Sequence, residues 1–407
     1  MNWPLKPLSE LCILAVDCVN KTAPVLEGPT PFKMIRTTNV KGGFIDTKTV
    51  RYVSEATFEQ WTRRSRPQYG DVILTREAPV GEVGRCTFYE SEQIFLGQRL
   101  FQYRTDPNLL DWNYLAYALQ SPQVQSSLHG KSFGATVPHV KVGDAENLEI
   151  PCPPLETQQA IGGLLAAYDD LIENNQRRIA LLEEIARMLY REWFVNFRYP
   201  GHERTQRCSD LPEGWQAGTA HDHLAVLSGG TPNTKVDRYW GGGVPFFTPK
   251  DCTGSLYVLG TEKTLTDDGV EACNSRLFGK ETIFITARGT VGKVALAQRP
   301  MAMNQSCYAL VPRNGLNNLF LFLAIEFGVK HLQTMASGGV FDAIVVDTFK
   351  YMPFNCPPVA LTNAFGELVR PVFDQVECLL SQNAALGQAR SDLLPRLLTG
   401  LISIQRT

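Results

Sequence analysis

Gly70–Gly84 reads GDVILTREAPVGEVG, and Glu281–Ala295 reads ETIFITARGTVGKVA. In each, a β-rich run meets glycine-marked turns and a second β-rich run follows, which predicts a strand, a turn and a strand. The first strand is placed at Asp71-Val72-Ile73-Leu74-Thr75, between Gly70 and the turn residues Pro79 and Gly81. Two such stretches in one chain prompt a search for a longer repeat.

Other landmarks pair in the same order. Trp3 matches Trp215, Ile35-Arg36-Thr37-Thr38-Asn39 matches Phe247-Thr248-Pro249-Lys250-Asp251, and Gln98 matches Gln305. Gly134 matches Gly338, Pro153-Pro154 matches Pro357-Pro358, and Asn175 matches Asn383. The offset stays between 204 and 212 residues throughout. A duplicated domain followed by a helix implies a pseudo-symmetric molecule that reads two sites at a fixed separation.

The helices come from periodicity. Ile161, Leu165, Tyr168, Ile172, Asn175, Ile179, Leu182, Ala186, Leu189 and Trp193 are spaced 4,3,4,3 without a break. That is a coiled-coil seam, with Asn175 as its one strongly polar residue and a candidate for fixing register. Asp169, Asp170, Glu183 and Glu184 fall off the seam and read as a solvated face. The second copy follows Pro357-Pro358, with Val369, Val372, Val376, Leu379, Leu380, Asn383, Leu386, Leu393, Leu394 and Leu397. Its seam Asn lies 25 residues beyond Pro-Pro, against 21 in the first copy, a difference of one helical turn. Pro371 and Pro395 are expected to kink it. A shorter helix is expected at Asn113–Leu119, and His202–Asp210 reads as a linker. The predicted domains are 1–154 and 200–356, with helices over 155–199 and 357–407.

Composition narrows the function. The chain has 407 residues, 44% hydrophobic and 20% charged, which fits a soluble protein of two or three domains. It has no apolar run long enough for a membrane span and no signal-peptide pattern at its N-terminus. Ten cysteines without regular pairing read as reduced thiols, so a cytoplasmic location is expected. Residues 1–154 carry 16 basic and 16 acidic residues, and 200–356 carry 14 and 14. Any anion-binding face must come from local clustering, or partner subunits supply the phosphate contacts.

Catalytic signatures are missing. Gly289-Thr290-Val291-Gly292-Lys293-Val294 has too few residues between its glycines for a phosphate-binding loop and no Ser/Thr after Lys293. Asn355-Cys356-Pro357-Pro358 has the wrong order for an amino-methyltransferase motif. His221 and His223 lack partners at zinc spacing. No enzyme activity and no metal or cofactor of the chain's own are expected.

Several motifs together resemble the specificity (S) subunit of type I restriction-modification systems. Leu211-Pro212-Glu213-Gly214-Trp215 is similar to that family's domain opening, and GDVILTREAPVGEVG and its copy to its central strand-turn-strand. Gly134–His139 resembles its glycine-led loop. Pro153–Ile161, Arg191–Phe197 and Leu394–Gly400 resemble its helix boundaries. The resemblance implies an α+β fold: two target-recognition domains separated by an antiparallel pair of long coiled-coil helices. It implies double-stranded DNA as ligand, one half of a split asymmetric target per domain. It also implies two methyltransferase subunits and restriction subunits as partners, which carry S-adenosylmethionine, ATP and Mg. The second copy departs in having Thr286-Ala287-Arg288 for Thr75-Arg76-Glu77, and Phe341-Asp342-Ala343 for Val137-Pro138-His139.

Groove readout needs Arg, Lys, Asn, Gln, Ser or Thr on exposed loops. The candidates are Arg36, Thr38, Asn39, Lys41, Arg76, Gln98 and Arg99, then Thr248, Lys250, Arg288, Asn304 and Gln305. The seam Ile161–Trp193 is 33 residues, so roughly 50 Å at ~1.5 Å per residue. That is about one and a half turns of B-DNA at ~34 Å each, which leaves unread base pairs between half-sites. The two seam asparagines are expected to meet at mid-helix. Two alternatives remain: a bivalent scaffold for protein or glycan, and an S-like module of another restriction-modification type.

Overall fold

The structure is a computed structural model that describes residues 3–133, 138–208, 210–335 and 343–402. Gly134, Gly338, Val137, Phe341 and Asp342, and with them most of the glycine-led loop, lie outside the described residues. The chain divides into two compact units, one of 1–172 with 385–407 and one of 173–384. Both long helices are therefore shared between units, whereas the sequence reading gave each helix a segment of its own.

The first unit is built on an antiparallel sheet in the order Cys12–Asp17, Leu100–Thr105, Val72–Arg76, Val80–Arg85. The predicted strand-turn-strand is its hairpin, with Val72 opposite Arg85 and Leu74 opposite Val83. Val72, Ile73 and Leu74 are all buried, as a near-continuous apolar run should be when both faces are covered. A smaller sheet holds Arg51–Tyr52, Lys33–Ile35 and Ile94–Leu96, the last two parallel. Leu5–Pro7 pairs with Glu149–Pro151 at the domain's opening and close.

The second unit repeats each part. Its main sheet runs Leu224–Ser228, Cys307–Pro312, Ile283–Thr286, Val294–Ala297, with Tyr257–Val258 added in parallel. Its small sheet holds Lys263–Leu265, Trp240–Phe247 and Ala302–Met303, again with one parallel pair. Gln216–Thr219 pairs with Pro353–Cys356. The near-P-loop Gly289–Val294 is the turn of the central hairpin and the start of its second strand. The expected helix at 113–119 runs Trp112–Gln120, started by Asp111 accepting from Tyr114 N at 2.8 Å.

The first long helix spans Leu155–Tyr190 and passes into a wider turn, Arg191–Val195. The second spans Val359–Leu398. Within the first unit Ile161 and Leu165 share a core with Leu397 and Leu398. Within the second, Asn175 Nδ2 donates to Asn383 Oδ1 at 2.9 Å, and Trp193 meets Phe365 at 5.5 Å between ring centroids. Numbers that rise on one helix fall on the other, so the helices run antiparallel in both units. The two asparagines meet as expected, and the bond offsets part of the cost of burying Asn175.

Two expectations gain detail and one is corrected. The helix runs unbroken through Pro371 and Pro395 to Leu398. Each proline withholds one N–H from the ladder, but around Pro371 the fully buried Val369, Phe373 and Val376 hold the turns in place. The linker carries a turn at His202–Arg204 and a short strand, Arg207–Cys208, against Leu211–Pro212.

The correction concerns charge. Asp169 and Glu183 are 0% and 8% exposed, whereas Asp170 and Glu184 are solvated as expected. Asp169 accepts from Tyr117 Oη at 2.6 Å and pairs with Arg390 and, at 3.7 Å, with Arg85. Glu183 accepts from Leu256 N at 3.2 Å and pairs with Arg187 at 3.3 Å; burial pushes its carboxyl above the usual range. The helix meets a domain on a second face, and these carboxylates fasten it there.

Candidate nucleic-acid interface

Three loops meet at one end of the first unit's sheets. Lys33–Ile35 runs into a tight turn, Thr37–Asn39, which Asn39 closes by accepting from Arg36 N at 2.9 Å. The hairpin turn after Arg76 is tied to it by Thr37 Oγ1 donating to Ala78 O at 3.0 Å. The 97–99 loop joins both, through Gly97 N to Ile35 O at 2.8 Å and Arg76 N to Arg99 O at 2.9 Å. At Gly97 a Cβ would stand 2.9 Å from Ile35 O, so only glycine allows that approach.

The second unit rebuilds this junction with other residues. Asp251 replaces Asn39 and closes its turn on Thr248, accepting from Thr248 N at 2.8 Å and Oγ1 at 2.7 Å. Thr290 Oγ1 donates to Pro249 O at 3.2 Å, Asn304 N to Phe247 O at 3.0 Å, and Ala287 N to Ser306 O at 2.8 Å. Here the loops enclose an open cleft of about 420 Å³ lined by Thr231, Thr248, Lys250, Lys263, Arg288 and Asn304 among others. Lys250 and Arg288 are exposed on this cleft and pair with no described acidic residue.

The structure thus gathers four of the second-half candidates, Thr248, Lys250, Arg288 and Asn304, on one cleft, and Gln305 beside it through a hydroxyl bond from Thr231. In the first half Thr38 and Lys41 are exposed, and Arg36 and Gln98 are half-buried. Arg99 pairs with Glu77 at 3.3 Å and keeps a partly open side chain.

Two candidates depart from the expectation. Asn39 is 3% exposed, and its amide is spent inside the turn, accepting from Arg36 N and donating to Thr49 O at 3.1 Å. Its repeat partner, Asp251, carries the same cap, and that identity was the sequence signal for a structural role. The Arg76 side chain is 13% exposed and braces the interior, donating to Val140 O at 2.8 Å and facing Asp17 at 4.0 Å.

Sequence reasoning missed four residues at the junction. Thr22 donates to Gln98 Oε1 at 3.3 Å, as Thr231 does to Gln305. Arg51 stands opposite Met34, as Lys263 stands opposite Phe246, and both cations are exposed. These lie in stretches without a quoted motif, and only the strand register aligns them.

Burial pushes the Cys12 thiol up to about 12 and those of Cys86, Cys252 and Cys307 above their ordinary value, which keeps them protonated. Among the described residues no group of three His, Cys, Asp or Glu could hold a metal ion. His223 stacks on Phe354 at 5.2 Å. No described helix is long and apolar enough to cross a membrane.

The family model for the type I restriction modification DNA specificity domain matches twice, over residues 23–184 and 212–361. The MjaIX type I restriction enzyme specificity subunit of Methanocaldococcus jannaschii is 23% identical over 365 residues, covering 87% of this chain and 82% of that protein. The HindI specificity subunit of Haemophilus influenzae is also 23% identical, over 82% of this chain and 86% of its own. The crystal structure of the S subunit of a type I restriction-modification system from M. genitalium superposes with a TM-score of 0.61 at 17% identity, covering 100% of this chain and 97% of the other.

Proposed function

We infer, from the type I restriction modification DNA specificity family to which this chain belongs in both halves, that it is the DNA-specificity subunit of a type I restriction-modification system. Each unit reads one half of a bipartite asymmetric target. The observation that carries this reading is the duplicated junction: one hydrogen-bonded frame, built twice, that presents different donors in each copy. A frame kept while its exposed residues change is what two half-sites of different sequence require.

The chain positions DNA for others to act on. Two methyltransferase subunits and the restriction subunits are its partners, and S-adenosylmethionine, ATP and Mg belong to them. The charge balance of each domain fits this division: without net positive charge, a domain relies on local clusters or on its partners for phosphate contacts. Sequencing of methylated bases in cells with and without this gene tests the reading. Deletion is expected to erase one bipartite motif, and the purified chain alone is expected to transfer no methyl group. A motif that survives deletion, or methyl transfer by the isolated chain, would contradict it.

A further inference from the structure

A threonine stands against the same glutamine in both halves. Thr22 Oγ1 donates to Gln98 Oε1 at 3.3 Å, and Thr231 Oγ1 donates to Gln305 Oε1. The threonines are 209 residues apart and the glutamines 207, within the offset of the whole repeat. Thr22, Thr231 and Gln305 are exposed and Gln98 is half-buried, so packing does not dictate the contact.

The surroundings reach it by different routes. In the second half Gly230 N donates to Met303 O at 3.1 Å, and a Cβ on Gly229 would lie 2.3 Å from that oxygen. In the first half there is no glycine pair; Cys18 N donates to Leu100 O at 3.2 Å, and Leu100 N to Cys18 Sγ at 3.3 Å. Two local solutions deliver one hydroxyl to one amide, which marks the pair as the feature retained.

A donating hydroxyl is satisfied by the amide oxygen and not by the amide nitrogen. In the observed arrangement the hydroxyl meets the amide oxygen and holds the amide in place. Its oxygen keeps one lone pair, and among the described residues no hydrogen bond engages the two N–H donors of its nitrogen. Such a donor beside an acceptor matches N7 and N6–H2 of adenine in the major groove, a combination no other single base presents there. We propose that Gln98 and Gln305 each read an A·T pair at the matching position of their half-sites, with Thr22 and Thr231 as positioning residues. This rests on the DNA-reading function inferred above. A base drawn out of the stack for modification offers no groove edge, so the pair read is not the methylated one. An amide already turned loses less freedom on binding, so the threonine acts on discrimination more than on general affinity.

The test is selection from randomised DNA by the full chain assembled with its cognate methyltransferase subunits. The wild-type complex is expected to select a bipartite site with an unmethylated A·T pair in each half. Gln98→Ala should relax that pair in one half-site, and Gln305→Ala in the other, by roughly 5- to 150-fold. Thr22→Val and Thr231→Val should relax the same positions by roughly 2- to 10-fold, and Thr22→Ser and Thr231→Ser should retain the preference. The half-site read by the untouched unit reports that each variant is folded. If the glutamine variants leave base preference unchanged, or relax a G·C pair, the assignment is overturned while DNA reading stands. A wild-type complex that selects no sequence would overturn both.

Discussion

After Thr75 the first unit's strand ends with Arg76, whose guanidinium turns inward to Val140 O at 2.8 Å. After Thr286 the second unit places Ala287, 2% exposed, and its arginine comes one residue later, at Arg288 on the cleft. The backbone is the same in both: Val140 N donates to Arg76 O and Ile344 N to Ala287 O, at 3.0 and 2.9 Å. Neighbouring residues at a strand end face opposite sides, so a shift of one position converts a brace into a free donor. Two arginines that look alike in the repeat thus stand in different places, one braced against the interior and one exposed on the cleft.

The same contrast divides the acidic anchors. Asp169 and Glu377 are 208 residues apart, the offset of the seam asparagines. Asp169 is enclosed with Arg85, whose side chain is only 4% exposed. Glu377 pairs at 2.8 Å with Lys280, which is half in solvent. Removing one partner of a buried pair strands the other, so Asp169→Ala should cost about 3–5 kcal/mol. Glu377→Ala should cost about 1 kcal/mol or less. Chemical denaturation of the two variants measures both, and equal losses would show that the anchors are equivalent.

The arginines are separated by a smaller effect. Arg76→Ala should lower stability by about 1–3 kcal/mol and leave the salt dependence of DNA binding unchanged. Arg288→Ala should leave stability within about 0.5 kcal/mol and reduce the slope of log affinity against log salt by about 1. Denaturation midpoints and binding titrations on the assembled complex read the two effects. A lower salt slope in Arg76→Ala would place its guanidinium on DNA after all.

Much of the architecture was legible because it is written in periodicity. The hairpin at 70–84, the helix at 112–120, the seam from Ile161 to Trp193 and the meeting of Asn175 with Asn383 all follow from spacing and from the repeat. What was not legible depends on a neighbour distant in sequence. Asp169 and Glu183 look solvated on a helical wheel until Arg390, Tyr117 and Leu256 are placed against them. Residue type alone marked Arg76 and Asn39 as readers, yet type does not say which way a side chain turns. Asp251, which repeats the cap of Asn39, could have corrected that reading. Thr22 and Thr231 carry no motif, and register alone exposes them.

The central claim is that each half reads its own half-site on a shared frame. Replacing residues 1–154 with the first domain of another member of the family, followed by sequencing of methylated bases in cells, tests it most directly. One half of the bipartite motif should change while the other half stays as it was. A change in both halves, or in neither while methylation remains active, would contradict the account.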